Sequence, residues 1–294
     1  MEYRILLDIL KYLEGRNLET RLSELHLTRF FTTVELDDGS VGASASYYRL
    51  SDHVLDVLEH RLQRECLNLF VVQDVEFLQA IVGECVPEEQ HRNCLVASLM
   101  CAVASALTAP FIRRDGDEWF EVEQHRPKNW INGAETALVV GFGGYLEPLI
   151  AEDEIKAVHV IDLVFDRKPE FGVKVSEWSA QHPSKSITAS THLEGADHLN
   201  RFDLISITAS TLCNGTLEYV LTNVREDAIV ILQGQSGSLH PKVLFEAGVD
   251  WVATTLKPGI LGRMSRGGHD GDEMRSMLQG GLPWIYLLPR RMTP

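Results

Sequence analysis

The sequence contains 294 residues, 45% of them apolar, and carries a formal net charge of -15. This length is enough for two modest domains, each with its own hydrophobic core. Because nucleic-acid binding needs a concentrated basic surface, the acidic balance argues against a nucleic-acid partner. An acidic surface of this kind mostly confers solubility.

The cysteines and the apolar segments predict a cytoplasmic protein without a membrane partner. Five cysteines occur and none forms a C-x-x-C pair, which fits a reducing compartment better than a disulfide framework. The N-terminal segment, MEYRILLDILKYLEGR, carries charges throughout, whereas a signal peptide needs an uninterrupted apolar core. The longest apolar run, 94–107, is too short for a bilayer of about 30 Å, and we interpret it as a buried helix.

Residues 1–125 predict a small α+β domain. Apolar residues at helical spacing indicate a first amphipathic helix that ends near Gly15. Asp38 and Gly39 lie between β-branched and aromatic residues and supply the positive φ angles of a tight hairpin turn. Ser51 is suited to cap the next helix, and two further helices follow, the last over about 88–107.

Cys94 and Cys101 lie seven residues apart in sequence, on one face of that last helix. They could form a metal or redox pair. Free cysteine usually behaves as a small buried apolar residue, so we interpret both as core residues.

A Rossmann-like ligand-binding domain is predicted over 126–294. The polar segment EVEQHRPKNWINGAE shows no sustained period and contains proline and glycine, which indicates a domain boundary. Apolar strands then alternate with helices or loops, at 136–141, 157–162, 185–190, 203–210, 228–233, 250–256 and 284–288. Long Val, Ile and Leu runs of this kind are typical of a mostly parallel sheet covered on both faces. The predicted fold class is therefore α/β, with the small α+β domain in front.

Glycines follow the first of these strands. Ligands bind beyond the carboxyl ends of parallel strands, and glycines there let a ligand approach the backbone at a helix N-terminus. The loop consists of Gly141, Phe142, Gly143 and Gly144. The second strand ends in Asp162, and 162 minus 141 is 21 residues, close to the ~20 at which an acidic group meets a ribose hydroxyl.

The glycine pattern is incomplete. A full G-x-G-x-x-G fingerprint needs a third glycine where Leu146 stands, so a diphosphate is disfavoured. A ribose-bearing ligand without a diphosphate, such as S-adenosylmethionine, is predicted as the cofactor. The alternative is a loop that only makes a tight turn, since a fold alone does not imply function.

Small polar residues follow two more strands. The first set is Thr208, Ser210, Thr211, Asn214 and Thr216. They could simply cap the next helix, but five exceed what one cap needs, so the surplus should line the crevice. The second loop contains Gly234, Gln235, Ser236, Gly237 and Ser238, before His240 and Pro241. We predict that Ser210 and Thr211 contact the cofactor, and that the substrate contacts are Asn214, Thr216, Gly234, Gln235 and Ser236.

The tracts VVGFGGYLEPLI, ITASTLCNGTLEYVL and ILQGQSGSLHPKVLFEAGVDWVA together resemble the heavy-metal chelation domain family. The hairpin TTVELDDGSVGASASY resembles the enolase N-terminal-like domain that precedes it there. The resemblance implies a Rossmann-like domain, a cleft between the two domains and a link to metal or metal-chelator chemistry. By motif it places the glycine loop on Gly141, Gly143 and Gly144, the polar tract on Thr211, Asn214 and Thr216, and a third loop on 234–236. Gln235 replaces the usual proline of that third loop.

Two clusters mix imidazole and carboxylate groups, a combination that suits zinc, iron or nickel. The first contains His192, Glu194, Asp197 and His198, and the second His269, Asp270, Asp272 and Glu273. Neither has a recognised ligand spacing, and such residues in glycine-containing loops are more often solvated. His192 and His198 are kept as weak metal candidates.

Three functional hypotheses remain open. In the leading one, the protein acts on a metal-chelating small molecule, such as a metallophore, in an interdomain cleft, with an adenosine-type ligand at Gly141–Gly144. The first alternative is a transferase, an S-adenosylmethionine-dependent methyltransferase of small molecules. The second is a non-enzymatic metal carrier. The partner is then a small molecule or chelator, with a homo-oligomer left open, and none of Tyr145, Glu147, Glu177 and His240 can be assigned as a catalytic base.

Overall fold

The computed structural model describes residues 3–16, 20–46, 50–66, 75–141, 146–162, 165, 170–192, 196–257 and 282–290. Within these residues, the first part contains a three-stranded sheet and four helices. Its strands are β1 (Leu22–Leu27), β2 (Phe31–Leu36) and β3 (Val41–Ala45), and its helices are α1 (Arg4–Glu14), α2 (Asp52–Cys66), α3 (Val75–Cys85) and α4 (Glu89–Ile112). All three strands pair antiparallel, in the order β1-β2-β3.

The local sequence explains most of these elements. The apolar stripe of α1 is buried as predicted, and the helix gives way at Gly15. The hairpin between β2 and β3 turns at Gly39, whose φ is +76°. Ser51 Oγ accepts a hydrogen bond from the Val54 N–H at 3.4 Å, at the start of α2.

Helix α4 is the central element of the first part. Among the described helices it is the one long and apolar enough to cross a membrane, but 89% of its apolar window is buried inside the protein. This confirms its interpretation as a buried helix, and Cys94 and Cys101 lie in the core as predicted. A Cβ added at Gly42 would lie 1.9 Å from the Ala102 carbonyl oxygen, so β3 crosses α4 in direct backbone contact.

The second part contains an eight-stranded sheet. All seven predicted strands are present, as β5 (Thr136–Val140), β6 (Ala157–Ile161), β7 (Ser186–Ser190), β8 (Leu204–Thr208), β9 (Ile229–Gln233), β10 (Trp251–Thr254) and β11 (Ile285–Pro289). The eighth strand, β4 (Phe120–Glu123), was not predicted. The order is β4-β11-β10-β9-β8-β5-β6-β7, with β5 to β10 parallel and β11 antiparallel to both its neighbours. The mostly parallel α/β sheet is therefore confirmed.

Helices and short turns connect these strands. The helices are α5 (Leu146–Ala151), α6 (Glu170–Gln181), α7 (Ala196–Leu199), α8 (Thr216–Asn223) and α9 (Lys242–Glu246). Two short 3-10 turns follow strands, the β8 turn (Ala209–Cys213) and the β9 turn (Gln235–Gly237).

The two parts share a core. One cluster of buried apolar residues joins Leu25 and Val34 of the small sheet to Ile205, Ile207 and Leu232 of the large one. The opposite face of the large sheet packs a second cluster, in which Trp130 meets Trp251 edge-on with ring centroids 6.2 Å apart. Strand β4, which precedes the predicted boundary, adds to this sheet by pairing with β11.

Candidate functional site

The order of the parallel strands reverses between β5 and β8. Strands β6 and β7 extend to one side of β5, whereas β8, β9 and β10 extend to the other. In open α/β sheets the crevice beyond the carboxyl ends of the strands at such a reversal is where ligands bind. Gly141 follows β5 and Thr208 ends β8, so these two residues mark this point, hereafter the switch point.

The switch point is closely packed around glycine. Gly141 has a φ of +93°, and a Cβ added to it would lie 2.3 Å from Thr208 Cγ2. Gly234, after β9, has a φ of +119° and approaches Thr208 from the other side. Both positions have a positive φ that favours glycine, and both lie beside the half-buried Thr208.

Asp162 lies next to Gly141. The Gly141 N–H donates to the Ile161 carbonyl at 2.8 Å, and the parallel register of β5 and β6 continues into this bond. The Asp162 N–H in turn donates to the Ser190 carbonyl at 3.1 Å. Asp162 is half-buried at the carboxyl edge, with its backbone beside that of Gly141. Phe142, Gly143 and Gly144 lie outside the described residues.

The residues after β8 divide into two groups. Thr211 Oγ1 donates to the Thr208 carbonyl at 2.6 Å, and Asn214 Oδ1 accepts from the Thr216 N–H at 3.1 Å. These two side chains stabilise the local turn and the start of α8, as the capping interpretation predicts. Ser210 differs, because it is half-buried beside Thr208, with their hydroxyl oxygens 2.9 Å apart.

The β9 turn packs against the first part of the chain. Ser236 is buried, and its Oγ accepts from the Ala45 N–H at 3.0 Å. Gln235 accepts hydrogen bonds from Thr255 Oγ1 and Lys257 Nζ. Of these two predicted substrate contacts, Ser236 therefore bonds to the first part of the protein, whereas Gln235 bonds within the second part.

Sequence reasoning missed Gln233, the last residue of β9. Its side chain is 2% exposed, and no described residue accepts a hydrogen bond from its Nε2. Thr208 is its register partner on β8, so both side chains project from the same face of the sheet. In the sequence, Gln233 could have been noticed as the single polar side chain at the end of the apolar run AIVILQ. A buried unpartnered donor is rare in proteins and calls for a specific explanation.

A set of buried polar residues, hereafter the seam, lies where the two parts meet. It consists of Ser44, Ser105, Ser236, Ser238 and Lys257, all buried. Burial lowers the pKa of Lys257 to about 7, against a smaller opposing effect of Cys101. Hydrogen bonding to the Cys213 thiol lowers the pKa of Cys101, whereas the pKa of Cys213 is raised by the same contact and by burial.

His240 forms a buried pair with Asp117. The Lys242 N–H donates to His240 Nδ1 at 3.4 Å, so Nε2 carries the proton and donates to Asp117 Oδ2 at 2.8 Å. Burial lowers the pKa of His240, and the neighbouring Asp117 opposes this shift. The pair joins the loop after β9 to the segment that precedes β4.

The histidine candidates do not form a metal centre in the part of the chain that the structure describes, where no group of three or more His, Cys, Asp or Glu side chains is placed to hold a metal. His192 is exposed, and His198 packs its ring 5.1 Å from that of His159 and 5.3 Å from that of Phe202. Glu194 and the 269–273 cluster lie outside the described residues.

Comparison with known proteins identifies the sheet domain. Residues 135–258 match the model of the DUF364 family, described as "Putative heavy-metal chelation". No functionally curated protein matches the sequence.

Two solved structures share the fold along nearly the whole chain. One is a DUF364 protein of unknown function from Pyrococcus horikoshii, with 13% identity, a TM-score of 0.58 and coverage of 97% of this chain and 100% of the other. The second, a DUF364 protein of unknown function from Desulfitobacterium hafniense, has 14% identity, a TM-score of 0.57 and coverage of 98% and 100%. At residues 135–258 the chain therefore carries a domain of the DUF364 family.

Proposed function

We propose that the protein binds an adenosine-type small molecule at the switch point and uses it in the chemistry of a small metal-chelating substrate. The observation that carries this proposal is the unpartnered Gln233 amide at the carboxyl edge of the sheet. A buried amide N–H left without an acceptor costs about 1–3 kcal/mol, and at the end of a strand a ligand acceptor would recover this cost. An adenine nitrogen or a carboxylate oxygen would supply that acceptor.

The neighbouring residues suit a nucleoside. Position 141 requires glycine because the Thr208 side chain fills the place of a Cβ, and Asp162 stands next to it as an acceptor for ribose hydroxyls. Thr208 and Ser210 add two hydroxyl groups within 2.9 Å of each other. Amide, hydroxyl and carboxylate groups thus come from the ends of β6, β8 and β9, which flank or lie near β5.

The reaction class follows from the ligand. An adenosine-type ligand without a diphosphate fits S-adenosylmethionine, which would make the protein a methyltransferase acting on a chelator. The family description supports the chelator half of this proposal, and the geometry around Gly141 and Asp162 supports the nucleoside half.

Thermal unfolding with adenosine, S-adenosylmethionine or S-adenosylhomocysteine tests the proposal. A ligand at one hundred times its Kd stabilises the folded state by about 2.7 kcal/mol, which raises the melting temperature. In Gln233→Met, the ligand-free protein should gain stability because an unsatisfied donor is removed, whereas the ligand-induced rise should shrink. A rise with all three compounds supports a nucleoside site, and a rise with only the two S-adenosyl compounds supports the methyltransferase.

Ser206→Ala is the matched control. Ser206 lies on the same face of β8, fully buried, and its Oγ also has no partner among the described residues. It is two residues before Thr208, away from the strand end, so Ser206→Ala should stabilise the free protein and keep the ligand effect. Equal ligand effects in wild type and Gln233→Met would contradict the proposed site, as would no effect of any of the three compounds.

A further inference from the structure

The sequence contains two Asn-Gly steps, in each of which an asparagine is followed directly by a glycine. Asn132 and Gly133 lie in the turn that precedes β5, and both are exposed. Asn214 and Gly215 lie between the β8 turn and α8, and both are half-buried. Because the two steps have the same composition, they show how the surrounding structure affects their chemistry.

The first step is open on all sides that bear on its reactivity. Among the residues that the structure describes, no group hydrogen-bonds to the Asn132 side chain, and none accepts from the Gly133 N–H. A Cβ added at Gly133 would meet nothing within 4 Å. Glycine also has no side chain to shield its backbone nitrogen. The Gly133 nitrogen and the Asn132 side chain are therefore both accessible.

The turn around this step is anchored at both ends. The Asn132 N–H donates to the Asn129 carbonyl at 3.1 Å, and the Ala134 N–H donates to the Ile131 carbonyl at 2.8 Å. Ile131 and Ala134 are buried against the large sheet. The fold thus holds the Asn132–Gly133 step on the surface while its neighbours are packed.

The second step is held by the start of a helix. Asn214 Oδ1 accepts from the Thr216 N–H at 3.1 Å, and the Asn214 N–H donates to the Thr211 carbonyl at 3.4 Å. Helix α8 begins at Thr216, directly after Gly215. A reaction that pulls the Asn214 side chain back onto Gly215 would break the bond to Thr216 and disturb the helix start, so the fold opposes it.

We propose that Asn132 is a site of spontaneous modification, at which the Gly133 nitrogen attacks the Asn132 side-chain carbonyl and converts the asparagine to aspartate and isoaspartate. A nucleophile held next to its target in the same chain reacts as if it were present at very high concentration. The site is independent of the proposed nucleoside site, because it uses neither Gln233 nor Asp162.

The reaction consumes water and releases ammonia without any oxidation or reduction. A bond forms between the Gly133 nitrogen and Asn132 Cγ, and the bond between Cγ and Nδ2 breaks. Nδ2 leaves as ammonia and takes up the proton that the Gly133 nitrogen loses. Water then opens the resulting cyclic imide at either carbonyl, which gives aspartate or isoaspartate.

The products would change a cleft of about 520 Å³ beside the turn. Its lining includes Asn132, Arg126, Trp130 and Glu152. The Arg126 guanidinium lies 4.2 Å from the centroid of the Trp130 ring and pairs with Glu152 at 3.4 Å. Either product adds a negative charge to the lining of this cleft, and isoaspartate also adds a methylene group to the backbone of the turn.

Incubation of the folded full chain at neutral pH, followed by proteolytic mapping with mass spectrometry, tests the proposal. The same incubation in guanidinium chloride gives the rate of each step without the fold. We expect folding to change the rate at Asn132 by less than about threefold and to slow Asn214 by about tenfold or more, a factor of ten being about 1.4 kcal/mol in activation free energy. Chromatography separates the aspartate and isoaspartate peptides.

Asn129 is the matched control, because it is exposed in the same turn but is followed by Trp130, whose side chain shields the next backbone nitrogen. Asn132→Asp should remove most of the ammonia release by the folded protein, whereas Asn129→Asp should leave it unchanged. A folded protein that keeps Asn132 intact while the unfolded chain converts it would overturn the proposal, as would equal protection of Asn132 and Asn214. Aspartate as the sole product would also overturn it, since direct hydrolysis by water gives no isoaspartate.

Discussion

Replacing Gly141 by alanine tests how closely the backbone and the Thr208 side chain are packed at the switch point. The φ of +93° costs a residue with a Cβ about 1–2 kcal/mol. The new Cβ would also lie 2.3 Å from Thr208 Cγ2, and overpacking of this kind costs about 1–3 kcal/mol. Gly141→Ala should therefore lower the free energy of unfolding by about 2–5 kcal/mol. At about 2–4 °C for each kcal/mol, the melting temperature falls by roughly 4–20 °C.

Thr208→Ser separates the two causes, because it removes Cγ2 and keeps the hydroxyl that lies 2.9 Å from Ser210 Oγ. The double variant should recover much of the overpacking loss, giving a coupling of about 1–3 kcal/mol in urea unfolding followed by circular dichroism. Gly172→Ala is the matched control, since its added Cβ meets nothing within 4 Å on an exposed face of α6, and it should gain about 0.5–1 kcal/mol. Effects of Gly141→Ala and Thr208→Ser that add within about 0.5 kcal/mol would refute the contact.

Three other substitutions test the frame around the site. Gly42→Ala would place a Cβ 1.9 Å from the Ala102 carbonyl, so we expect a loss of more than about 3 kcal/mol in chemical unfolding, and a smaller loss would show that β3 and α4 can move apart. For His240, burial holds the folded pKa below the unfolded value of about 6.5, so its contribution is fully present above that pH and is lost as pH falls towards the folded pKa. His240→Asn should flatten this part of the stability curve between pH 7.5 and about 5, and an unchanged slope would exclude His240 as its cause. Asp203→Asn weakens the bonds that Asp203 Oδ2 accepts from the Thr136 N–H at 2.9 Å and Thr136 Oγ1 at 2.8 Å, which should cost about 1–2 kcal/mol, and a neutral result would show that these bonds contribute no net stability.

The large sheet could be predicted because each buried parallel strand is a continuous apolar run. The two strands that were missed lack this signal. In β1, LSELHL, an irregular register breaks the alternation, and in β4, FEVE, a short edge strand is embedded in polar residues. The order of the strands, and therefore the switch point, depends on pairing between residues distant in sequence, which local patterns do not encode.

The candidate site was predictable in part for the same reason. Gly141 and Asp162 follow strands that pair with each other, so their spacing in sequence predicts their proximity in space. Ser236 instead bonds to Ala45, 191 residues away, and no local pattern announces that contact. The importance of Gln233 depends on what surrounds its amide, which is likewise a property of the folded chain.

The position of β4 has a practical consequence for anyone dividing this protein. A fragment beginning at residue 126 would lose β4, Phe120–Glu123. The backbone N–H and C=O groups of β11, Ile285–Pro289, that pair with β4 would then be unpaired at the edge of the sheet. An unpaired edge strand can pair with an edge strand of another chain, so such a fragment is expected to self-associate. A fragment that begins before Phe120 would keep β4 paired with β11. The apolar surface that α4 covers in the full chain would then be exposed to water.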